Sequence, residues 1–447
     1  MPEKLFGSDG IRGLFGSFPI NPEGFYKIGL ALGRVLREEH SHSVCNVLVG
    51  RDTRSTGIIL MDSLIAGLLE RDCVVVELDH YAPTPVISKI LLDGVYCGGV
   101  VITASHNDAR YNGVKIFDHV GNKFSKIKRN KLEEYVQTHY TSLNSHESLS
   151  TGLPGSKKIL LSDWEDLYVN KMVSEYEKVV NMRGTKVVLD CANGAYSRIA
   201  SRIMEDLGAE VITFYNQPDG ININKNCGSI YPSSIQSAVL QHKADIGFSF
   251  DGDGDRLCIS GSHGVIWDTN HVIAALAMQQ RSRNSLSGIV ITVMTNGGFI
   301  NWMEKEDIRF SVTAVGDSNI SEIMKRFSFG LGGEPSGHIM CDGFCADALT
   351  AALFFMMSRK FWTNAKAIPL YKQVNINMEC SLSDADLQNL RSKFLRIAHN
   401  EGGRLVMRQS GTEPVLRIMC ENMSDDFAGG IASELMLIHK TQGIKLT

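Results

Sequence analysis

The feature that most limits what this chain can fold into is a repetition of pattern. Three successive segments of roughly 100 residues each run from an apolar, β-branched stretch into a polar turn, a helix, a second apolar stretch and a closing polar loop. In the first, residues 44–49 form the stretch and Gly50-Arg-Asp-Thr-Arg-Ser55 the turn. Met61, Leu64, Ile65, Leu68 and Leu69 then mark one buried helix face before Val74–Leu78. A further run, Gly98–Ile102, leads into Thr103-Ala-Ser-His-Asn107 and on through Asn112-Gly-Val-Lys115. The second segment has Lys186–Asp190, the turn Cys191-Ala-Asn-Gly194, a helix with Ile199, Ile203, Met204 and Leu207 inward, and Glu210–Phe214. Its residues 244–250 run into Asp251-Gly-Asp-Gly-Asp-Arg256. The third passes through residues 289–293, Thr295-Asn-Gly-Gly298 and residues 310–315 to Gly333-Glu-Pro-Ser-Gly-His338. Such segments build α/β layers, whose chemistry sits at strand ends. The pattern predicts three similar mixed α/β domains, each giving one polar loop to a shared central cleft.

Two further loops flank the repeats. Phe6-Gly-Ser-Asp-Gly-Ile-Arg-Gly13 precedes an amphipathic helix over Pro22–Glu39, and its glycine N–H groups with Arg12 suit an anion. The last ~75 residues alternate short strands with helix, as a smaller α+β domain does. They carry Arg408-Gln-Ser-Gly-Thr-Glu-Pro-Val-Leu-Arg417, whose guanidinium, hydroxyl and glycine groups have a phosphate-binding composition. Residues 138–158, rich in Ser, Thr, Gly and Pro, read as a linker. The expected domains are residues 1–152, 153–256, 257–368 and 369–447.

Composition narrows the function. A net charge of −4 argues against a broad basic surface for nucleic acid. The apolar stretch over residues 346–357 is too short to span a bilayer, and the N-terminus lacks the apolar core of a signal peptide, so a cytoplasmic protein is expected. The ten cysteines are scattered without a CxxC pair and read as reduced core residues. Neither a P-loop nor a GxGxxG fingerprint occurs.

The sharpest local signal is Asp251-Gly-Asp-Gly-Asp255. Three carboxylates at alternate positions can converge on one cation, and hard oxygen donors suit Mg²⁺. An EF-hand is excluded, because Arg256 stands at loop position six and Ser262 at position twelve. Glu334, Ser336 and His338 place a carboxylate, a hydroxyl and an imidazole on one glycine-flanked loop, suited to sugar hydroxyls and to a phosphate. Lys115 follows Ser105 closely; among other cations its ammonium would lose its proton more readily and suit proton transfer. Together these parts imply phosphoryl transfer on a sugar phosphate, with Ser105 as the reacting hydroxyl.

The motifs, in this order, resemble the α-D-phosphohexomutase family over nearly the whole chain. The Phe6–Gly13 loop and Asn222-Ile-Asn-Lys-Asn-Cys-Gly-Ser229 are most similar to its bacterial branch acting on glucosamine phosphates. The resemblance implies a phosphoserine at Ser105 and one Mg²⁺ per chain held by Ser105, Asp251, Asp253 and Asp255. It places Lys115, Arg12, Arg256 and His338 around the reacting groups, and Glu334 and Ser336 on sugar hydroxyls. Arg408, Ser410, Gly411 and Thr412, with Arg417 downstream, would hold the non-reacting phosphate. The implied activity interconverts glucosamine 6-phosphate and glucosamine 1-phosphate through a hexosamine 1,6-bisphosphate, toward UDP-N-acetylglucosamine. Glucose or mannose phosphates are the alternative substrates, and a monomer or homodimer is expected. Four places depart from the family's wording: Asp108 replaces a proline, Ser318 an arginine, and Trp267-Asp-Thr-Asn270 and residues 341–347 differ from the usual Asp- and Gly-rich text.

Overall fold

The computed structural model describes residues 5–7, 9–40, 44–139, 157–341, 343, 345–379, 384–400, 402–409, 415–421 and 430. Ser410, Gly411 and Thr412, and most of the expected linker, lie outside them. The first sheet comprises β1 (Ile11–Leu14), β2 (Asn46–Arg51), β3 (Val74–Leu78), β4 (Gly98–Ile102), β5 (Tyr111–Asp118) and β6 (Lys157–Leu161). The second has β7 (Lys186–Asp190), β8 (Glu210–Phe214), β9 (Ile246–Phe250) and β10 (Leu257–Gly261). The third has β11 (Ile289–Thr292), β12 (Phe310–Thr313), β13 (Leu331–Gly333) and β14 (Ile339–Met340). A fourth, antiparallel sheet orders β15 (Gln373–Glu379), β17 (Val415–Glu421) and β16 (Arg404–Gln409), with the helix Asp384–Asn400 beside it.

The repetition in the sequence is a repetition of topology. Strand orders β5-β4-β2-β3, β10-β9-β7-β8 and β14-β13-β11-β12 are one arrangement three times. In each, three strands run parallel and the outermost is antiparallel to its neighbour. β1 and β6 extend the first copy at its two edges. Two expected boundaries therefore move. β6 joins the first sheet beyond residue 152, and β10 closes the second beyond residue 256. A polar hairpin loop cannot be separated from its return strand without leaving that strand's backbone groups unpaired.

Alternate strand residues face opposite layers: Val47, Val49 and Val75 of the first sheet join one buried cluster, and Leu48 and Leu78 another. The helix Pro22–Glu39 starts at Asn21, whose side chain accepts from Gly24 N–H at 2.8 Å, with a proline in its first turn. It crosses the helix Thr56–Leu69 backbone to backbone: a Cβ on Gly29 would lie 2.2 Å from Leu64 O, and one on Gly67 2.3 Å from Tyr26 O. A buried polar knot ties three domains together. Asp347 caps the helix Ala348–Met357, contacts Lys89 of the first domain at 3.1 Å and accepts from Tyr196 of the second at 2.7 Å. No helix among the described residues is long and apolar enough to cross a membrane.

Candidate active site

The topology explains why three loops meet. The Ser105 loop joins β4 to β5, the Asp251–Asp255 loop joins β9 to β10, and the Glu334–His338 loop joins β13 to β14. All three occupy the same hairpin of the repeated unit. The last two are stitched by backbone pairing of Arg256 with His338 and by Leu257 N–H donating to Gly337 O at 3.0 Å.

Ser105 is fully buried and has φ +51°, a left-handed conformation uncommon for serine. Its hydroxyl donates to Asp251 Oδ2 at 2.6 Å, and His106 Nδ1 lies 3.4 Å away. The other Asp251 oxygen accepts from the N–H groups of Gly254, Asp255 and Arg256 at 3.1–3.2 Å, which curls the loop around that carboxylate. Asp251, Asp253 and Asp255 are all buried, with one oxygen from each within 4.8 Å of the others. Burial and the two neighbouring carboxylates push the Asp251 carboxyl up to about 7.

Lys115 projects from β5 and bridges Asp253 at 2.6 Å and Asp255 at 2.5 Å, with Asp9 at 3.2 Å. The expected fall in its pKa is overturned. Burial alone would lower it, but these carboxylates outweigh burial and hold the ammonium well above its ordinary value.

Glu334 Oε1 accepts from Ser336 Oγ and contacts His338 Nδ1, both at 2.8 Å, while His338 Nε2 faces Asp255 at 3.2 Å. Burial would lower the His338 pKa, but Asp255 and Glu334 raise it to about 10 against the opposing charge of Arg256. Burial, Arg256 and Arg12 drive His106 the other way, to about 2, so its ring stays neutral.

These loops open on one cavity of about 730 Å³. Arg12, His106, Arg256, Glu334, Ser336, His338, Arg408 and Arg417 all line it, so every domain contributes. Ser105 and the three aspartates lie beneath this lining. Arg408 and Arg417 are direct cross-strand partners on β16 and β17, and burial and Arg417 depress the Arg408 pKa. Two opposed guanidinium groups repel unless an anion sits between them.

Asp9, Lys123 and Asp317 are not among the predicted site residues. Asp9 pairs with Arg12, Lys115 and Lys123, and Lys123 also grips Asp317 of the third domain. Arg12 of this loop lines the cleft, and the loop's own acid holds the cations around it. Asp108, the departure beside Ser105, turns outward and pairs with Arg110 at 2.7 Å. It adds no charge to the serine's surroundings.

The three aspartates fit a divalent cation. Asp253 Oδ1 is buried without a hydrogen-bond partner, and the donors are all hard oxygens.

A cation-ringed cleft lined by residues of four domains defines an α/β enzyme that handles anionic substrates. Comparison with known proteins sharpens this. Residues 3–142, 166–264 and 268–366 match the α/β/α domains I, II and III of phosphoglucomutase/phosphomannomutase, and residues 373–438 match its C-terminal domain. The chain is 35% identical to a phosphoglucosamine mutase of Methylobacillus flagellatus over 98% of both chains. It is 34% identical to one of Acinetobacter baumannii over 97% of both. A Burkholderia thailandensis phosphoglucomutase/phosphomannomutase family protein shares the fold with a TM-score of 0.79, at 23% identity over 99% of each chain. The chain belongs to the phosphoglucomutase/phosphomannomutase family of α-D-phosphohexomutases.

Proposed function

We propose that this enzyme interconverts glucosamine 6-phosphate and glucosamine 1-phosphate by way of a phosphoserine at Ser105. The observation that carries this is the Ser105 hydroxyl on Asp251, under a cleft whose far wall holds the Arg408–Arg417 pair. The full-length similarity to phosphoglucosamine mutases supports the choice of sugar.

In the forward half-reaction the Ser105 Oγ–P bond breaks as the free sugar hydroxyl bonds phosphorus. The hydroxyl proton leaves and the seryl oxygen regains one. The bisphosphate then turns over, and its other phosphoryl group returns to Ser105. Arg12, Lys115, Arg256 and the protonated His338 offset charge on the moving group without reorganising. Asp251 Oδ2 and the neutral His106 Nδ1 are the acceptors facing the seryl oxygen. Glu334 and Ser336 offer an acceptor and a hydroxyl to the sugar, and Arg408 and Arg417 grip whichever phosphate is distal. Mg²⁺, held by Asp251, Asp253, Asp255 and the Ser105 oxygen, would supply positive charge to the phosphoryl oxygens.

The test is a coupled mutase assay with Mg²⁺ and a hexose 1,6-bisphosphate, comparing kcat/KM for glucosamine, glucose and mannose 6-phosphates. Glucosamine 6-phosphate is expected to be best. If it is poorest, the sugar assignment falls; if none turns over, the mutase reading falls.

A further inference from the structure

The turn that carries Ser105 is gripped from two sides by side chains so far without a role. Arg54, in the turn after β2, is completely buried. All five of its guanidinium hydrogens are used. Nε donates to Asp52 Oδ2 at 2.9 Å, and Nη1 donates to Tyr111 O at 2.9 Å and to Asp108 O. Nη2 donates to Ser105 O at 3.0 Å and Asn107 O at 2.7 Å. Asn224, buried in the second domain, sends its Nδ2 to the same two carbonyls, at 2.8 and 2.9 Å. Both partners are acceptors, so chemistry fixes which end of the amide points at them.

Ser105 O and Asn107 O thus each accept one bond from a guanidinium of the first domain and one from an amide of the second. The turn sits against Gly252 of the metal loop, where a Cβ would lie 2.7 Å from Ser105 O and 2.8 Å from Asn224 Nδ2. The N–H of Ser105 is tied to the same unit. It donates to Thr103 Oγ1 at 2.9 Å, which donates to Asp52 Oδ2 at 2.7 Å. A left-handed serine is strained and persists only where its surroundings over-determine it. These bonds are that over-determination, and the resulting conformation aims Oγ at Asp251.

We propose that Arg54 and Asn224 are positioning residues for phosphoryl transfer at Ser105. The guanidinium fixes the turn to its own domain, and the amide registers it on the domain that holds the carboxylates. The inference rests on Ser105 being the phosphoryl carrier. A merely structural tie between domains would lower activity only as far as it lowers the folded fraction.

The test uses the full chain with Asn224→Ala, Asn224→Ser and Arg54→Lys. Three quantities are measured: the melting temperature, kcat and KM for the sugar phosphates, and the single-turnover rate at which Ser105 takes a phosphoryl group from glucose 1,6-bisphosphate, followed by intact mass. Asn224→Ala should remain folded, yet lose about 30- to 100-fold in transfer rate and kcat, the penalty of a small misplacement of the reacting atom. Its KM should stay within about threefold, because the distal phosphate grip is untouched. Asn224→Ser keeps one donor and should recover part of the loss. Arg54→Lys should lose at least as much, since an ammonium cannot replace a planar fork. Should Arg54→Lys fail to fold, the Asn224 pair still decides. Transfer in Asn224→Ala at the wild-type rate, or a loss that tracks unfolding, overturns the proposal. If wild-type Ser105 becomes phosphorylated but no sugar monophosphate is interconverted, the mutase reading fails while the transfer rates still judge positioning. If wild-type Ser105 takes no phosphoryl group, both fall.

Discussion

Ser105 Oγ lies 2.6 Å from Asp251 Oδ2, so a hydroxyl of the first domain and a carboxylate of the second meet across a domain boundary. Neither is useful alone. The serine needs charge to hold a phosphoryl group, and the carboxylates need a cation to relieve their crowding.

Replacing the serine is the direct test of the carrier. In the proposed mechanism Ser105→Ala removes the atom that holds the transferred group, so mutase activity should fall by at least about a thousandfold. Intact mass of active wild-type enzyme should show one phosphoryl group, absent from the variant. Near-wild-type turnover in Ser105→Ala would end the covalent reading.

The aspartate trio makes a separate prediction about metal. A ligand bound only by the folded state stabilises it by about 2.7 kcal/mol at a hundred times its Kd. Mg²⁺ should therefore raise the melting temperature of the wild type, and a chelator should reverse the rise along with activity. Asp253→Asn removes a carboxylate that has a free buried oxygen, and its melting temperature should no longer respond. An equal Mg²⁺ response in the variant would remove Asp253 from the metal set.

Much of this was legible in the sequence, and the failures share one cause. The strands Val74–Leu78, Gly98–Ile102, Lys186–Asp190 and Glu210–Phe214 and the helix Pro22–Glu39 form where the apolar pattern puts them. Apolar spacing is a local property and reads directly. β5 reads poorly because Asn112 and Lys115 look like loop residues, yet both are buried. Lys115 is tolerated there only because Asp253 and Asp255 arrive from another domain. For the same reason the Lys115 pKa rises where a fall was expected: the aspartates stand out in the sequence, but nothing there places Asp253 and Asp255 against Lys115. Arg54 and Asn224 stood in motifs already singled out, but their partners are backbone carbonyls, which no side-chain pattern announces.

Asp347 tests how the domains are held. It contacts Lys89, accepts from Tyr196 and accepts from its own helix's Thr350, so one buried carboxylate serves three domains. Asp347→Ala leaves Lys89 and Tyr196 without that partner, and removing one side of a buried pair costs about 3–5 kcal/mol. The urea midpoint should fall accordingly. Asp347→Asn, which keeps an acceptor for Tyr196, should lose less. Equal, small losses in both variants would show that the knot is not a main tie between the domains.

The Glu334–His338 pair gives the stability an acid limb. Burial alone would raise the Glu334 carboxyl, but the hydrogen bond and charge of His338, with help from Ser336 and Arg256, hold it at about 2 against an ordinary 4.5. The folded value lies below the unfolded one. The contribution is therefore complete above about pH 4.5 and is lost as pH falls toward 2. A shift of that size corresponds to about 3 kcal/mol. His338 stays protonated throughout this range, so only the carboxylate titrates. In urea titrations, wild type should exceed Glu334→Gln by most at about pH 6, and the gap should narrow steadily below about pH 4.5. A gap that stays constant from about pH 6 to 3 would mean that the Glu334 charge contributes nothing to the fold.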